Sequence, residues 1–269
     1  MDLASKKTIK ELLRKYNIKP SKRLGQNFLI DKSVLRKIIE TANLSPKDTI
    51  LEIGPGLGIL TIELAKKTKQ VIAVEKDKRM CEILKEVLKD YKNVKIINQD
   101  ILDTKYKIQN TRYKLVANLP YYITSPVIRK FLEINPPAGE PPKETILMVQ
   151  KEVAQRIVAK PPLMNLLAVG VQFYAKAEIV SYVRKKSFYP QPKVDSAIIK
   201  IVPQPIPKIN TKKFFQLVKT GFSSKRKMLK NNLELEKSIL KKIKINPKTR
   251  AENLSIQDWL RLYDEIYKK

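Results

Sequence analysis

The chain has 269 residues, 43% of them apolar, and carries 55 Lys and Arg against 26 Asp and Glu, a formal net charge of +29. That apolar share suffices for a globular core and excludes a disordered chain. So large a positive excess points to a polyanionic partner, because each phosphate neutralised releases condensed counterions. The sequence has no histidine and one cysteine, Cys81, so no intramolecular disulfide can form, and the commonest general base and metal ligand is missing. The chemistry is therefore expected to use no metal. No run approaches membrane-spanning length, and residues 1–19 lack an apolar core of signal-peptide length; a cytoplasmic location is expected.

Residues 8–16 have helical spacing, and a basic loop follows from Lys19 to Leu29. Asp31 is placed to cap a second helix running to about Asn43. From Thr49 the pattern changes. Strands are predicted over Thr49–Ile53, Val71–Glu75, Val94–Asn98, Lys114–Asn118 and Thr145–Val149. Helices alternate with them over Leu57–Lys67, Asp77–Tyr91, Ser125–Leu132 and Lys151–Ala159. Such alternation predicts a parallel, doubly wound α/β sheet. Two later β-rich runs, Glu178–Val183 and Ser196–Val202, fit an antiparallel hairpin at the sheet edge. Pro203, Pro205 and Pro207 then mark a boundary. The expected division is an α/β domain with an N-terminal helical extension over 1–203 and a small basic helical domain over 204–269. The latter holds 17 Lys or Arg against 6 Asp or Glu, a net +11.

The first strand runs into Glu52-Ile53-Gly54-Pro55-Gly56-Leu57-Gly58, a turn whose glycines let a ligand approach the backbone. The spacing is Gly-x-Gly-x-Gly, not the Gly-x-Gly-x-x-Gly of nicotinamide binders. Glu52 beside it suits a cationic ligand better than a pyrophosphate. S-adenosylmethionine, with its sulfonium and ammonium groups, is such a ligand. The second strand ends at Glu75, placed to accept ribose hydroxyls, and the third at Asp100, placed to accept an adenine amine. A tight turn, a surface charge or a helix cap explains any one of these alone. Together they occupy three successive strand ends, where open α/β sheets bind their ligands.

The fourth strand ends Asn118-Leu119-Pro120-Tyr121. An adenine amine is a poor nucleophile because its lone pair is delocalised into the ring. The Asn118 side-chain oxygen and the Leu119 carbonyl could accept its two N–H groups and draw it toward tetrahedral geometry. Pro120 stiffens the backbone, and the Tyr121 ring could stack on a flipped base. A plain Asn-x-Pro turn is the other reading. No strong base is required, which agrees with the absence of histidine.

These residues carry a family resemblance that runs nearly end to end. The chain resembles the KsgA-type ribosomal RNA adenine dimethyltransferases. Gly25-Gln26-Asn27-Phe28-Leu29 resembles their N-terminal cofactor motif, and the glycine turn and Asn118–Tyr121 resemble their central motifs. Phe188-Tyr189-Pro190-Gln191-Pro192-Lys193-Val194-Asp195-Ser196 resembles a further signature. Phe222 with Lys225-Arg226-Lys227, Leu229–Leu233 and Arg250–Ser255 resemble their C-terminal motifs. The resemblance implies a Rossmann-like S-adenosylmethionine-dependent methyltransferase fold with a small C-terminal helical domain. It implies cofactor contacts from Gln26, Asn27, Leu29, Glu52, Gly54, Gly56, Glu75, Asp100 and Asn118. It implies catalytic roles for Asn118, Leu119, Pro120 and Tyr121, with Phe188 sandwiching the base opposite Tyr121. Lys22, Arg23, Lys225, Arg226, Lys227 and Lys230 are expected to bind RNA. The expected substrate is a pair of adjacent adenines near the 3′ end of 16S rRNA in the small ribosomal subunit, and the enzyme is expected to act as a monomer.

One stretch departs from the pattern. Lys160-Pro161-Pro162-Leu163-Met164-Asn165-Leu166-Leu167-Ala168 is shorter and more apolar than the polar segment the family carries there, which bears on local RNA contacts. The nearest alternative is a 23S rRNA adenine methylase of the macrolide-resistance type, against which Arg250–Ser255 argues. A non-catalytic assembly or transcription factor on the same scaffold is the other, against which the intact Asn118–Tyr121 argues.

Overall fold

The computed structural model describes residues 2–21, 23–103, 112–132 and 140–267. The chain opens with α1 (Lys6–Lys15), β1 (Phe28–Leu29) and α2 (Lys32–Thr41). Asp31 caps α2 as the sequence predicts: its Oδ1 accepts from the amides of Ser33 and Val34, which the first turn leaves without intrahelical partners. Next come β2 (Thr49–Ile53), α3 (Ile59–Ala65), β3 (Gln70–Glu75), α4 (Lys78–Val87), β4 (Val94–Asn98) and β5 (Tyr113–Asn118). They are followed by α5 (Thr124–Leu132), β6 (Thr145–Gln150), α6 (Lys151–Ile157), α7 (Leu166–Tyr174), β7 (Ala175–Val183), β8 (Phe188–Tyr189) and β9 (Ser196–Pro203).

Seven of these strands form one sheet in the order β4-β3-β2-β5-β6-β9-β7. Strand β2 pairs in parallel with β3 and β5, β3 with β4, and β5 with β6, while β9 runs antiparallel to β6. The central strands are buried on both faces, which is why they read as unbroken apolar runs such as Ile146-Leu147-Met148-Val149. The architecture is the expected Rossmann-like α/β sheet. Its order reverses between β2 and β5, which opens a crevice beyond their carboxyl ends. Leu51 lies opposite Leu115, so Gly54 and Asn118, each three residues further on, leave the sheet side by side.

The opposite end of β5 is anchored by a buried cation. Lys114 Nζ bonds the carbonyls of Ala42 at 2.9 Å and Asn43 at 2.7 Å, and pairs with Asp48 at 3.1 Å and Glu144 at 2.9 Å.

The two late strands are neighbours at the sheet edge, but they do not form the simple hairpin the sequence suggests. Between them β8 leaves to pair antiparallel with β1, Phe28 opposite Tyr189 and Leu29 opposite Phe188. Two bonds extend this small ribbon: the Ile30 amide donates to the Ser187 carbonyl at 2.9 Å, and the Ser187 hydroxyl to Asp31 at 2.8 Å.

The chain divides into two compact units, Met1–Ala154 with Glu178–Pro203, and Gln155–Ala177 with Gln204–Lys269. The second unit thus includes α7 together with α8 (Thr211–Gly221), α9 (Leu229–Asn232), α10 (Lys237–Lys242) and α11 (Ile256–Tyr267). It is broader than the segment beyond the prolines, because the apolar face of α7 packs there: Phe173 stacks on Phe214 with ring centroids 4.8 Å apart. Phe222 lies against the fully buried Trp259, centroids 5.7 Å apart.

Candidate active site

Every residue predicted to bind the cofactor or act in catalysis lines a single pocket, at the carboxyl ends of β2, β3 and β5. Gly54 and Gly56 adopt φ of +65° and +59°, the left-handed region that glycine tolerates best. The Gly54 amide still donates to the Val74 carbonyl at 2.9 Å, so the turn continues the sheet before it bends.

Three carboxylates face this turn in different states. Glu52 is fully buried, and its Oε2 finds no hydrogen-bond partner among the described residues. Burial, with Glu75 adding repulsion, pushes its carboxyl up to about 8. Glu75 is buried as well, and burial raises it too, but its oxygens are held: Oε1 accepts the Asp77 amide at 2.8 Å and Oε2 the Gly56 amide at 3.2 Å. Asp100 is less enclosed. Burial acts to raise it, but the ammonium of Lys76, 2.5 Å away, and the Leu102 amide hold it below the usual range. An orphaned, buried carboxylate oxygen beside a glycine turn is what a cationic ligand would satisfy. The residues present therefore fit S-adenosylmethionine.

The N-terminal motif closes one side. Gln26 reaches back to the Ser21 amide through Oε1 (2.7 Å) and to Asp77 through Nε2 (3.0 Å), tying the loop to the start of α4. Its side-chain polar groups are thus engaged by protein. Leu29 is packed in the core cluster as well as lining the pocket.

On the acceptor side, the Asn118 amide nitrogen donates to the Asn27 carbonyl at 3.4 Å. That bond fixes the sense of the amide and leaves Oδ1 as the group able to accept from a substrate amine. The Leu119 amide donates to the Met148 carbonyl at 3.2 Å, and the Ile123 amide to the Pro120 carbonyl at 3.2 Å. Pro120 is wedged between glycines: a Cβ added at Gly54 would meet its Cδ at 3.4 Å, and one at Gly25 its Cβ at 3.4 Å. The Tyr121 hydroxyl lies 2.7 Å from that of Ser196, and burial raises the phenol. Phe188 is only 2% exposed; it packs in the same cluster as Leu29 and Leu35 while lining the pocket. It serves the core and borders the acceptor space at once.

Reading the sequence alone missed several lining residues, three of them next to predicted ones. Tyr122, half exposed, Lys76 and Ile101 each directly follow a residue that was singled out, and adjacency was the one available signal. Among the predicted RNA contacts, Lys22 lies outside the described residues. Arg23 is exposed on the loop before Gly25. Lys225, Arg226 and Lys227 are exposed and Lys230 half-buried in the second unit. Asn232 holds their turn by donating to the carbonyls of Gly221 at 2.7 Å and Ser224 at 3.1 Å.

The sheet order, the glycine turn and the carboxylates at successive strand ends define a Rossmann-like S-adenosylmethionine-dependent methyltransferase. The model of the ribosomal RNA adenine dimethylase family matches residues 3–268, and the chain belongs to that family. It is 47% identical over 267 residues to ribosomal RNA small subunit methyltransferase A of Dehalococcoides mccartyi, covering 94% of this chain and 90% of that protein. It is 40% identical over 287 positions to the protein of the same name from Alkaliphilus oremlandii, covering 99% of each. Among solved structures it is similar to a dimethyladenosine transferase from Plasmodium falciparum, with a TM-score of 0.78, 30% identity and coverage of 90% of this chain and 98% of that one. It is also similar to the 23S rRNA methyltransferase ErmE, with a TM-score of 0.74, 27% identity and coverage of 89% and 99%.

Proposed function

We propose that this enzyme transfers methyl groups from S-adenosylmethionine to the N6 amines of two adjacent adenines in a loop near the 3′ end of 16S rRNA, acting as a cytoplasmic monomer on the small ribosomal subunit. The observation that carries the reaction is the Asn27–Asn118 bond. It orients one amide oxygen at the carboxyl end of β5, beside the glycine turn of β2. Bound S-adenosylmethionine would supply an electrophilic methyl group. Asn118 Oδ1 and the Leu119 carbonyl would accept the two amine hydrogens and free the nitrogen lone pair, so their contribution is positioning and electrostatics. The Tyr121 ring would hold the flipped base by stacking, and the proton is lost to water after transfer. Glu75 would hold the ribose, Asp100 the cofactor's adenine and Glu52 its cationic end.

The small subunit is favoured over the large one by relatives of 40–47% identity named for the small subunit, against 27% for the 23S enzyme. Phosphate contacts are assigned to Arg23 and to the cluster Lys225, Arg226, Lys227 and Lys230, with Lys22 beside Arg23 in sequence. The test is incubation with S-adenosylmethionine and undermethylated small subunits, followed by mapping of the modified adenines. Asn118→Ala should abolish transfer while leaving RNA affinity near that of the parent. Transfer to large-subunit RNA alone, or an active Asn118→Ala enzyme, would overturn the reading.

A further inference from the structure

We propose that Lys151, Tyr182, Lys185 and Lys186 form a nucleotide subsite of the methyltransferase unit, which takes a single-stranded RNA residue flanking the target adenine. The inference rests on the proposed RNA substrate and adds a place where that RNA is gripped. Tyr182 lies near the end of β7, the outermost strand of the sheet. Strand alternation turns Val183 inward, where it is buried, and leaves Tyr182 57% exposed. Lys151 Nζ stands 5.1 Å from the centroid of the Tyr182 ring. The ammonium covers one face of the ring; a base can stack on the opposite face of this exposed side chain, and the ammonium can meet a phosphate by charge.

Charge around the ring favours the same occupant. Residues 182–193 contain Arg184, Lys185, Lys186 and Lys193 and no acid, and all four cations are exposed. Two acids adjoin the patch in sequence: Glu152, exposed after Lys151, and Asp195, whose Oδ1 accepts the Lys185 amide at 2.9 Å and whose carbonyl accepts the Lys151 amide at 3.0 Å. The patch is joined to the acceptor pocket from both ends. Asp195 precedes Ser196, which bonds Tyr121, and Lys186 precedes Ser187 and the pocket-lining Phe188. A base flipped into that pocket must have neighbours on the strand, and unpaired neighbours present the π-face that a paired base hides.

The test uses the full chain with undermethylated small subunits. Tyr182→Ala should raise KM for the subunits about 10-fold, with S-adenosylmethionine affinity, saturating turnover and melting temperature unchanged; Tyr182→Phe should restore KM. Lys185→Glu with Lys186→Glu should lower the log–log salt slope of binding by about 0.7 for each phosphate left unneutralised. In parallel, a single-stranded oligoribonucleotide carrying 2-aminopurine should be quenched by the parent and not by Tyr182→Ala. Parental KM and salt slope in both variants would overturn the subsite and show these side chains to be only a charged guard on an edge strand. If the parent itself transfers no methyl to small subunits, the substrate assignment fails. The quenching measurement then still decides whether Tyr182 stacks on a base.

Discussion

The hydroxyls of Tyr121 and Ser196 lie 2.7 Å apart, a bond between the end of the acceptor tetrapeptide and the first residue of β9. It fixes the ring proposed to stack on the target base. Ser196 is fully buried, so its hydroxyl has little else to bond. Tyr121→Phe and Ser196→Ala should each lower kcat more than they raise KM for cofactor. Because both remove the same bond, the double variant should lose no more than the worse single one, a coupling of about 1 kcal/mol. Ser196→Thr should restore most of the rate. Additive losses would show that the bond does not position the ring.

Glu75 anchors the glycine turn through Gly56, and the proposed reaction assigns it the cofactor's ribose. Glu75→Ala should weaken S-adenosylmethionine binding by roughly 1.5–3 kcal/mol in calorimetry, the worth of hydrogen bonds to a charged group. Unchanged affinity would remove Glu75 from the site.

Glu52 makes stability depend on pH. Its folded value of about 8 stands above the ordinary 4.5. A raised acid favours the folded state while the group is protonated. That contribution is complete below the unfolded value, declines as pH rises, and is gone above the folded one. The melting temperature of the cofactor-free protein should therefore fall between about pH 5 and 8, and Glu52→Gln should flatten the fall. Cofactor affinity should rise over the same window, since a cationic ligand favours the ionised carboxylate. Equal pH profiles for the parent and Glu52→Gln would show that this group is ionised throughout.

Phe188 belongs to core and pocket together. Phe188→Ala should cost about 3–5 kcal/mol of stability, as core truncations do. Phe188→Leu keeps the position apolar with most of its volume, should cost less than the alanine variant, and removes the ring face. A strong loss of kcat/KM for RNA in the leucine variant supports stacking, and unchanged turnover would make the ring a packing residue only.

Lys225, Arg226 and Lys227 protrude from a turn held by Asn232. Reversing all three charges should flatten the salt dependence of RNA binding, by about 0.7–0.9 in log–log slope for each phosphate these side chains neutralise in the parent. Identical slopes and affinities would mean that this turn does not touch RNA.

The sheet was legible because buried parallel strands and amphipathic helices have distinct periods, and the strand-end residues Gly54, Glu75, Asp100 and Asn118 follow from that order. Strand β8 was not legible: two residues, Phe188-Tyr189, carry no periodicity, and their partner lies far away in sequence at Phe28-Leu29. Nothing in the sequence around Lys114 marks it as buried, yet Asp48, Glu144 and two helix-end carbonyls converge on it. The aromatic face of α7 was hidden behind the proline-rich Lys160–Met164, so its membership of the second unit appears only in three dimensions. Within the site, residue types were readable from sequence. The states of the carboxylates were not, since burial and orphaned oxygens depend on packing.

The ribbon of Phe28-Leu29 with Phe188-Tyr189 has a consequence for the order in which the enzyme comes into being. The wall bearing Asn27 is fastened by a strand synthesised some 160 residues later. A ribosome must therefore have released the chain past Tyr189 before the donor pocket can close. An arrested nascent chain ending before Phe188 should hold no S-adenosylmethionine, whereas one extended beyond Pro203 should. Maturation of this catalyst is then a late event in its own translation.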